Sequence, residues 1–123
     1  MIADNDPTVV DLLRIDLTLE GYDIVATAND GHAAAAACIE HRPDVLIVDY
    51  RMPPGPTGVE VVAMVRAADA ARAVVLYTNY RSAALVSEAH SAGAILVAKG
   101  PLQVLRDTLE RLTTRDDETG EAG

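Results

Sequence analysis

The sequence predicts an α/β domain in which five parallel strands alternate with five helices, a (βα)5 doubly wound sheet. Three observations carry that prediction. Short apolar runs alternate with segments of helical period along most of the 123 residues, the pattern of a parallel sheet with right-handed crossovers and helices on both faces. Val45 to Val48 is an uninterrupted apolar run between Asp44 and Asp49, as suits a parallel strand covered on both faces. Breakers punctuate the helical stretches: Asp6-Pro7, Asn29-Asp30-Gly31, Gly58 and Gly93.

Taken in order, Met1 to Ala3 is a strand stub, shorter than the ~5 residues of an ordinary strand. Pro7 to Leu19 is helical, with Val10, Leu13 and Leu17 on one face. Asp6 caps it, because a carboxylate there accepts from free backbone amides and proline at the first helical position loses nothing. Asp23 to Ala28 is the second strand and His32 to Glu40 the second helix. Val45 to Val48 is the third strand, and a Pro- and Gly-rich loop runs on to Gly58. Val59 to Ala68 is helical, Ala73 to Tyr77 is the fourth strand, and Arg81 to Ala92 is a helix closed by Gly93. Ile95 to Ala98 is the fifth strand. Pro101 to Leu112 is the last helix, striped by Leu102, Leu105, Leu109 and Leu112. One domain is expected over 1–112, and 113–123 reads as an acidic, disordered tail.

Composition narrows the function classes. The net charge of -9 carries no cationic footprint for nucleic acid and opposes an anionic membrane surface. No apolar run approaches the ~18 residues of a membrane-spanning helix, and no signal peptide is expected ahead of the first strand. The single cysteine, Cys38, cannot form an internal disulfide and reads as a small buried apolar residue. The expected setting is the cytoplasm. His32, His41 and His90 lie on or at the ends of helices and read as solvent-facing, away from the sheet rim.

In open parallel sheets, ligands bind beyond the carboxyl ends of the strands. There the first strand carries Asp4-Asn5-Asp6, the third Asp49, the fourth Thr78 and the fifth Lys99. Gathered carboxylates repel unless a cation sits among them, and hard oxygen ligands suit Mg²⁺. An aspartate beside Mg²⁺ can act as a nucleophile toward phosphorus. The three oxygens of a transferred phosphoryl group would then meet Mg²⁺, the Lys99 ammonium, and the Thr78 hydroxyl with a backbone amide. No Gly-rich phosphate loop follows the first strand, and no Ser/His/Asp arrangement exists.

The ordered set Asp4-Asn5-Asp6-Pro7, Arg42-Pro-Asp-Val-Leu-Ile-Val-Asp49, Met52-Pro53, Gly58, Thr78, Ala92-Gly-Ala94 and Lys99 resembles a receiver domain of a two-component response regulator. The resemblance runs from about Ile2 to Leu112. It implies the flavodoxin-like strand order 2-1-3-4-5 and a phosphoryl group accepted on Asp49 from a sensor histidine kinase or phosphotransfer protein. It also implies a Mg²⁺ site of Asp4, Asn5, Asp49 and the backbone carbonyl of Arg51. Thr78 resembles the switch hydroxyl, and Lys99 the lysine that pairs with acceptor and phosphoryl. The chain would be a signalling domain that catalyses only its own phosphoryl transfer and dephosphorylation. Nothing after Leu112 reads as an output domain, so it would act by protein contact or belong to a longer regulator. Family members often dimerise through the face of the fourth and fifth helices, where Arg81, Glu88, Arg106 and Arg111 would contribute charge.

Several positions depart from the family pattern. Asn5 stands where a second acid is usual; losing one charge beside the metal costs up to ~4 kcal/mol at an effective dielectric of about 20, so weakened Mg²⁺ affinity is expected. Leu96 replaces the usual aromatic three residues before Lys99. Asn79 follows Thr78 where a small residue is usual, and Tyr80 is an alternative aromatic. Gly100 separates Lys99 from Pro101, so a cis peptide at Lys99-Gly100 is not expected. These departures keep a second reading open, a degenerate receiver that binds partners without phosphorylation. A phosphohydrolase with an aspartyl nucleophile fits poorly, since Arg51 stands where its second acid would be.

Overall fold

β1 (Ile2–Ala3) is the first strand of the sheet. A computed structural model describes residues 1–122, with side chains to Thr113. After β1 come α1 (Pro7–Leu19), β2 (Thr27–Ala28), α2 (Gly31–His41), β3 (Val45–Val48) and α3 (Gly58–Ala67). Then follow β4 (Ala73–Thr78), α4 (Ala83–Ala92), β5 (Ile95–Ala98) and α5 (Leu102–Ala122). All pairings are parallel and the order is β2-β1-β3-β4-β5. The expected architecture and strand order are therefore both present.

Alternation along the strands sorts the core into two halves. Leu46, Val48, Val74 and Leu76 pack with Ala34, Cys38, Val61, Val65, Leu85 and Ala89 on the side of α2, α3 and α4. Ile2, Ile47, Val75, Tyr77 and Val97 pack with Leu13, Leu17, Leu105 and Leu109 on the side of α1 and α5. Cys38 is fully buried, and burial pushes its thiol pKa up.

Capping sets where most helices begin. Asp6 accepts from the Thr8 amide at 2.9 Å and Asp30 from the Ala33 amide at 2.8 Å. Thr57 and Glu60 form a reciprocal capping box, so α3 begins at Gly58. Ser82 accepts from the Leu85 amide at 3.1 Å with its own backbone extended, so α4 begins at Ala83 and not at Arg81. β2 is shorter than the expected Asp23 to Ala28. A strand exists only where a partner ladder exists, and β1 offers Ile2 and Ala3 alone. α5 passes the end expected at Leu112. The expected tail, 113–123, lies outside the residues with described side chains, except for Thr113.

Two arginines tie elements together. Arg66 of α3 donates to the Gly93 carbonyl from Nε and Nη2 (3.2 and 2.7 Å), and from Nη1 to the carbonyls of Ala71 and Arg72 (3.2 and 3.0 Å). Arg106 of α5 donates from Nε to Asp16 of α1 at 3.0 Å and again from Nη2, with Glu20 at 3.7 Å. Arg106 thus faces α1, which corrects its placement among charges for a face shared with α4. The Arg106 hydrogen bonds hold the Asp16 carboxyl below the usual carboxylate range, against the effect of burial. A depressed acid contributes stability above its unfolded pKa, near ~3.9, and the contribution fades as pH falls through the lower folded value. Urea midpoints measured from neutral pH downward should therefore fall less steeply for Asp16→Asn than for wild type. Parallel acid limbs would exclude this pair as a contributor.

Candidate functional site

Three strands deliver charged side chains to one point at the carboxyl edge of the sheet. Asp4 follows β1, its amide still bonded to the Ala28 carbonyl at 3.0 Å. Asp49 follows β3, its amide bonded to the Ala3 carbonyl at 3.0 Å. Lys99 follows β5, its amide bonded to the Thr78 carbonyl at 2.9 Å. The ladder thus continues one residue past each strand and fixes all three Cα positions before any side chain is considered.

The Lys99 Nζ donates to Asp4 Oδ2 at 2.7 Å and to Asp49 Oδ2 at 3.2 Å. Their side chains are 14%, 3% and 11% exposed respectively, so this is an ion triad largely withdrawn from water. Burial alone would lower the ammonium's pKa, but the hydrogen bond to Asp4 and the field of Asp49 outweigh it and leave the pKa raised. Lys99 therefore stays charged at neutral pH. Each carboxylate's other oxygen is held by the backbone: Asp4 Oδ1 accepts from the Asp6 amide at 2.9 Å, and Asp49 Oδ1 from the Tyr50 amide at 2.7 Å. Both acids are oriented, not merely near one another.

Thr78 ends β4, fully buried, and its hydroxyl accepts from the Tyr80 amide at 3.2 Å. Accepting there leaves the O–H proton available for donation elsewhere. Asn5 is exposed beside Asp4. The side chain of Arg51 is also exposed, and its guanidinium lies 4.5 Å from the centroid of the Tyr80 ring. The loop bearing the Arg51 carbonyl is closed by the Gly58 amide, which donates to the Tyr50 carbonyl at 2.6 Å. A cis peptide joins Pro53 and Pro54 in that loop.

Asp4, Asp49, an Asn5 amide oxygen and the Arg51 carbonyl would make an oxygen-only donor set, the kind that suits Mg²⁺ better than softer metals. It carries two acids where a third would bind harder. Among the described residues no group of three His, Cys, Asp or Glu side chains is placed to hold a metal ion, and position 5 carries an amide, not a carboxylate. The set fits Mg²⁺ with reduced charge.

Some residues at the rim were not legible as such. The Tyr50 ring meets Tyr80 edge-on, with centroids 5.7 Å apart. Tyr80 was legible as a spare aromatic, but its stack with Arg51 was not. His32 is exposed, yet a Cβ built on Gly55 would come within 2.9 Å of its ring. His32 thus lies against the loop that follows Asp49, which corrects the expectation that every histidine is remote from the rim. Leu96 is half-buried against the α2–α4 side of the core.

Comparison with known proteins places this arrangement. The family model for the response regulator receiver domain matches residues 1–109. The transcriptional regulatory protein KdpE of Mycobacterium tuberculosis is 36% identical over 94 residues, covering 76% of this chain and 40% of the relative. The DNA-binding response regulator MtrA of Mycolicibacterium smegmatis is 31% identical over 123 residues, covering 98% of this chain and 53% of the relative. This chain thus spans about half the length, or less, of these curated relatives. The solved receiver domain of the response regulator NarL from M. tuberculosis superposes with a TM-score of 0.79 at 28% identity, covering 91% of this chain and 93% of that one. Among the described residues no helix is long and apolar enough to cross a membrane. The matched span contains all five strands and each residue of the triad, and the chain belongs to the response regulator receiver domain family.

Proposed function

We propose that Asp49 accepts a phosphoryl group from a phosphohistidine of a sensor histidine kinase or phosphotransfer protein in the cytoplasm. A carboxylate oxygen of Asp49 attacks phosphorus. An O–P bond forms, the P–N bond breaks, and the imidazole leaves with the electron pair. Lys99, already hydrogen-bonded to Asp49, meets the charge on the transferred group, and the Thr78 hydroxyl has a proton to donate to it. Asp4, Asn5, Asp49 and the Arg51 carbonyl would hold Mg²⁺, which when bound neutralises phosphoryl charge. While attached, the added charge alters a protein-contact surface, and in relatives named as transcriptional or DNA-binding regulators the output lies in a longer chain. Water then attacks phosphorus, the Asp49 O–P bond breaks, and inorganic phosphate leaves the free carboxylate behind.

The observation that carries this proposal is the buried Lys99 ammonium bridging Asp4 and Asp49. Incubation with acetyl phosphate and Mg²⁺ should add one phosphoryl mass to wild type and none to Asp49→Asn. Gain in both proteins, or in neither, would remove Asp49 as acceptor. A second reading, binding without phosphorylation, draws support from Asn5 and from the absence of an aromatic at Leu96. Beryllofluoride with Mg²⁺ separates the two: amide shifts around Thr78 favour the first reading, and unchanged spectra favour the second.

A further inference from the structure

The residue after β3 and the last residue of β4 are both polar, and the side chain of each accepts from a tyrosine amide, Asp49 from Tyr50 and Thr78 from Tyr80. The two rings then meet across the rim, 5.7 Å apart at 63°. Arg51 closes the group by laying its guanidinium 4.5 Å from the Tyr80 ring centroid. One exposed cation and two rings therefore bridge the loop after β3 to the loop after β4, beside the acceptor.

That resting place is a weak one. Tyr80 is 43% exposed, and a cation over a ring in water is held less firmly than a guanidinium paired with phosphate oxygens. The charge beside it changes on phosphorylation. Asp4, Asp49 and Lys99 sum to one net negative charge, and a phosphoryl group on Asp49 adds more. Asn5 leaves the metal side one charge poorer than an acid would, so less metal charge is held there to meet the increase. Arg51 is an exposed cation two residues along the chain from Asp49, with the five donors of a planar fork.

We propose that Arg51 is a phosphoryl-binding latch: it rests on Tyr80 while Asp49 is a free carboxylate, and moves onto a phosphoryl oxygen when one is attached, releasing the Tyr80 ring. This rests on the proposal that Asp49 is the acceptor and adds its regulation. Tyr80 then becomes the aromatic whose position reports occupancy, two residues before the Ser82 cap of α4. The half-buried Leu96 has no ring to serve in that role.

The test uses isotope-labelled full chain titrated with beryllofluoride and Mg²⁺. In the free protein, Arg51 side-chain protons should carry a ring-current shift that Tyr80→Leu abolishes. On titration, amides of Asp49 and Thr78 should move, and with them the Arg51 and Tyr80 side-chain signals, the ring-current shift being lost. If the amides move and Arg51 stays on Tyr80, the latch is overturned while Asp49 remains the acceptor. If no amide moves, both proposals fall. Arg51→Gln keeps the backbone carbonyl but loses the cation. Because the latched guanidinium also covers phosphorus from attacking water, the variant's aspartyl phosphate should hydrolyse faster, by about tenfold or more for one lost charge-assisted hydrogen bond, with Arg51→Lys partly restoring the lifetime. An unchanged lifetime in Arg51→Gln would also overturn the latch.

Discussion

Replacing Lys99 with Met should slow phosphoryl transfer from acetyl phosphate to Asp49 by about 10²–10³-fold, the usual cost of removing one preorganised donor from a developing charge. Intact-mass time courses at fixed Mg²⁺ measure it. Among the described residues the ammonium is the one side-chain cation bonded to Asp49, at 3.2 Å, and it sits where solvent cannot readily replace it. A second effect accompanies the first. Without Lys99, two largely buried carboxylates face each other with only their backbone amides as partners, so stability at neutral pH should fall, and Mg²⁺ should restore part of it by binding the folded state alone. In wild type the sign with pH is opposite to that of an acid. A lysine whose pKa is raised contributes fully below its unfolded value, near ~10.4, and the contribution is lost as pH rises through the higher folded value. Transfer rates within a factor of ~3 of wild type would remove Lys99 from the chemistry.

The largest expected structural effect is at Gly58. A Cβ there would lie 2.2 Å from the Asp49 carbonyl oxygen and 2.7 Å from Leu76 Cδ1. The side chain of Leu76 could shift, but the Asp49 carbonyl cannot easily do so. Its residue is held by the hydrogen bond that the Asp49 amide donates to the Ala3 carbonyl, and Gly58 itself by the 2.6 Å hydrogen bond it donates to the Tyr50 carbonyl. Gly58→Ala should therefore cost about 3 kcal/mol or more, at or beyond the upper end of ordinary overpacking, and displace the acceptor. Gly100→Ala is the control, since a Cβ there meets nothing within 4 Å, and it should stay within about 0.5 kcal/mol of wild type. Urea midpoints for the two variants make the comparison. A Gly58→Ala loss no larger than that of the control would mean the loop gives way cheaply.

Both experiments turn on features that were unequally visible in the residues. β3 and β5 have the expected bounds because each is a continuous apolar run stopped by a charge. α1 has them because Asp6-Pro7 is a specific opening. β2 was overestimated because Asp23 to Val25 have the composition of a strand without a partner to pair with, and pairing is not encoded locally. The start of α4 moved because Ser82 is better used as a cap than as a helical residue. At the site, residue types at strand ends identified Asp4, Asp49, Thr78 and Lys99 as neighbours. That Lys99 bonds both acids at once, and that Arg51 lies on Tyr80, depends on side-chain torsions that no spacing specifies. Arg106 was misplaced for the same reason: helical periodicity says which residues share a face, not which neighbouring helix that face meets.

The Arg66 guanidinium has a consequence for how α4 can respond to events at the rim. It grips the Gly93 carbonyl through two nitrogens and, through a third, the carbonyls of Ala71 and Arg72 just before β4. The rear of α4 is thereby clamped to α3, while its first turn is held by the Ser82 cap and by Leu85 in the core. A push from Tyr80 would therefore have to tilt α4 about its Gly93 end and slide Leu85 in its pocket, with more travel near Ala83 than near His90.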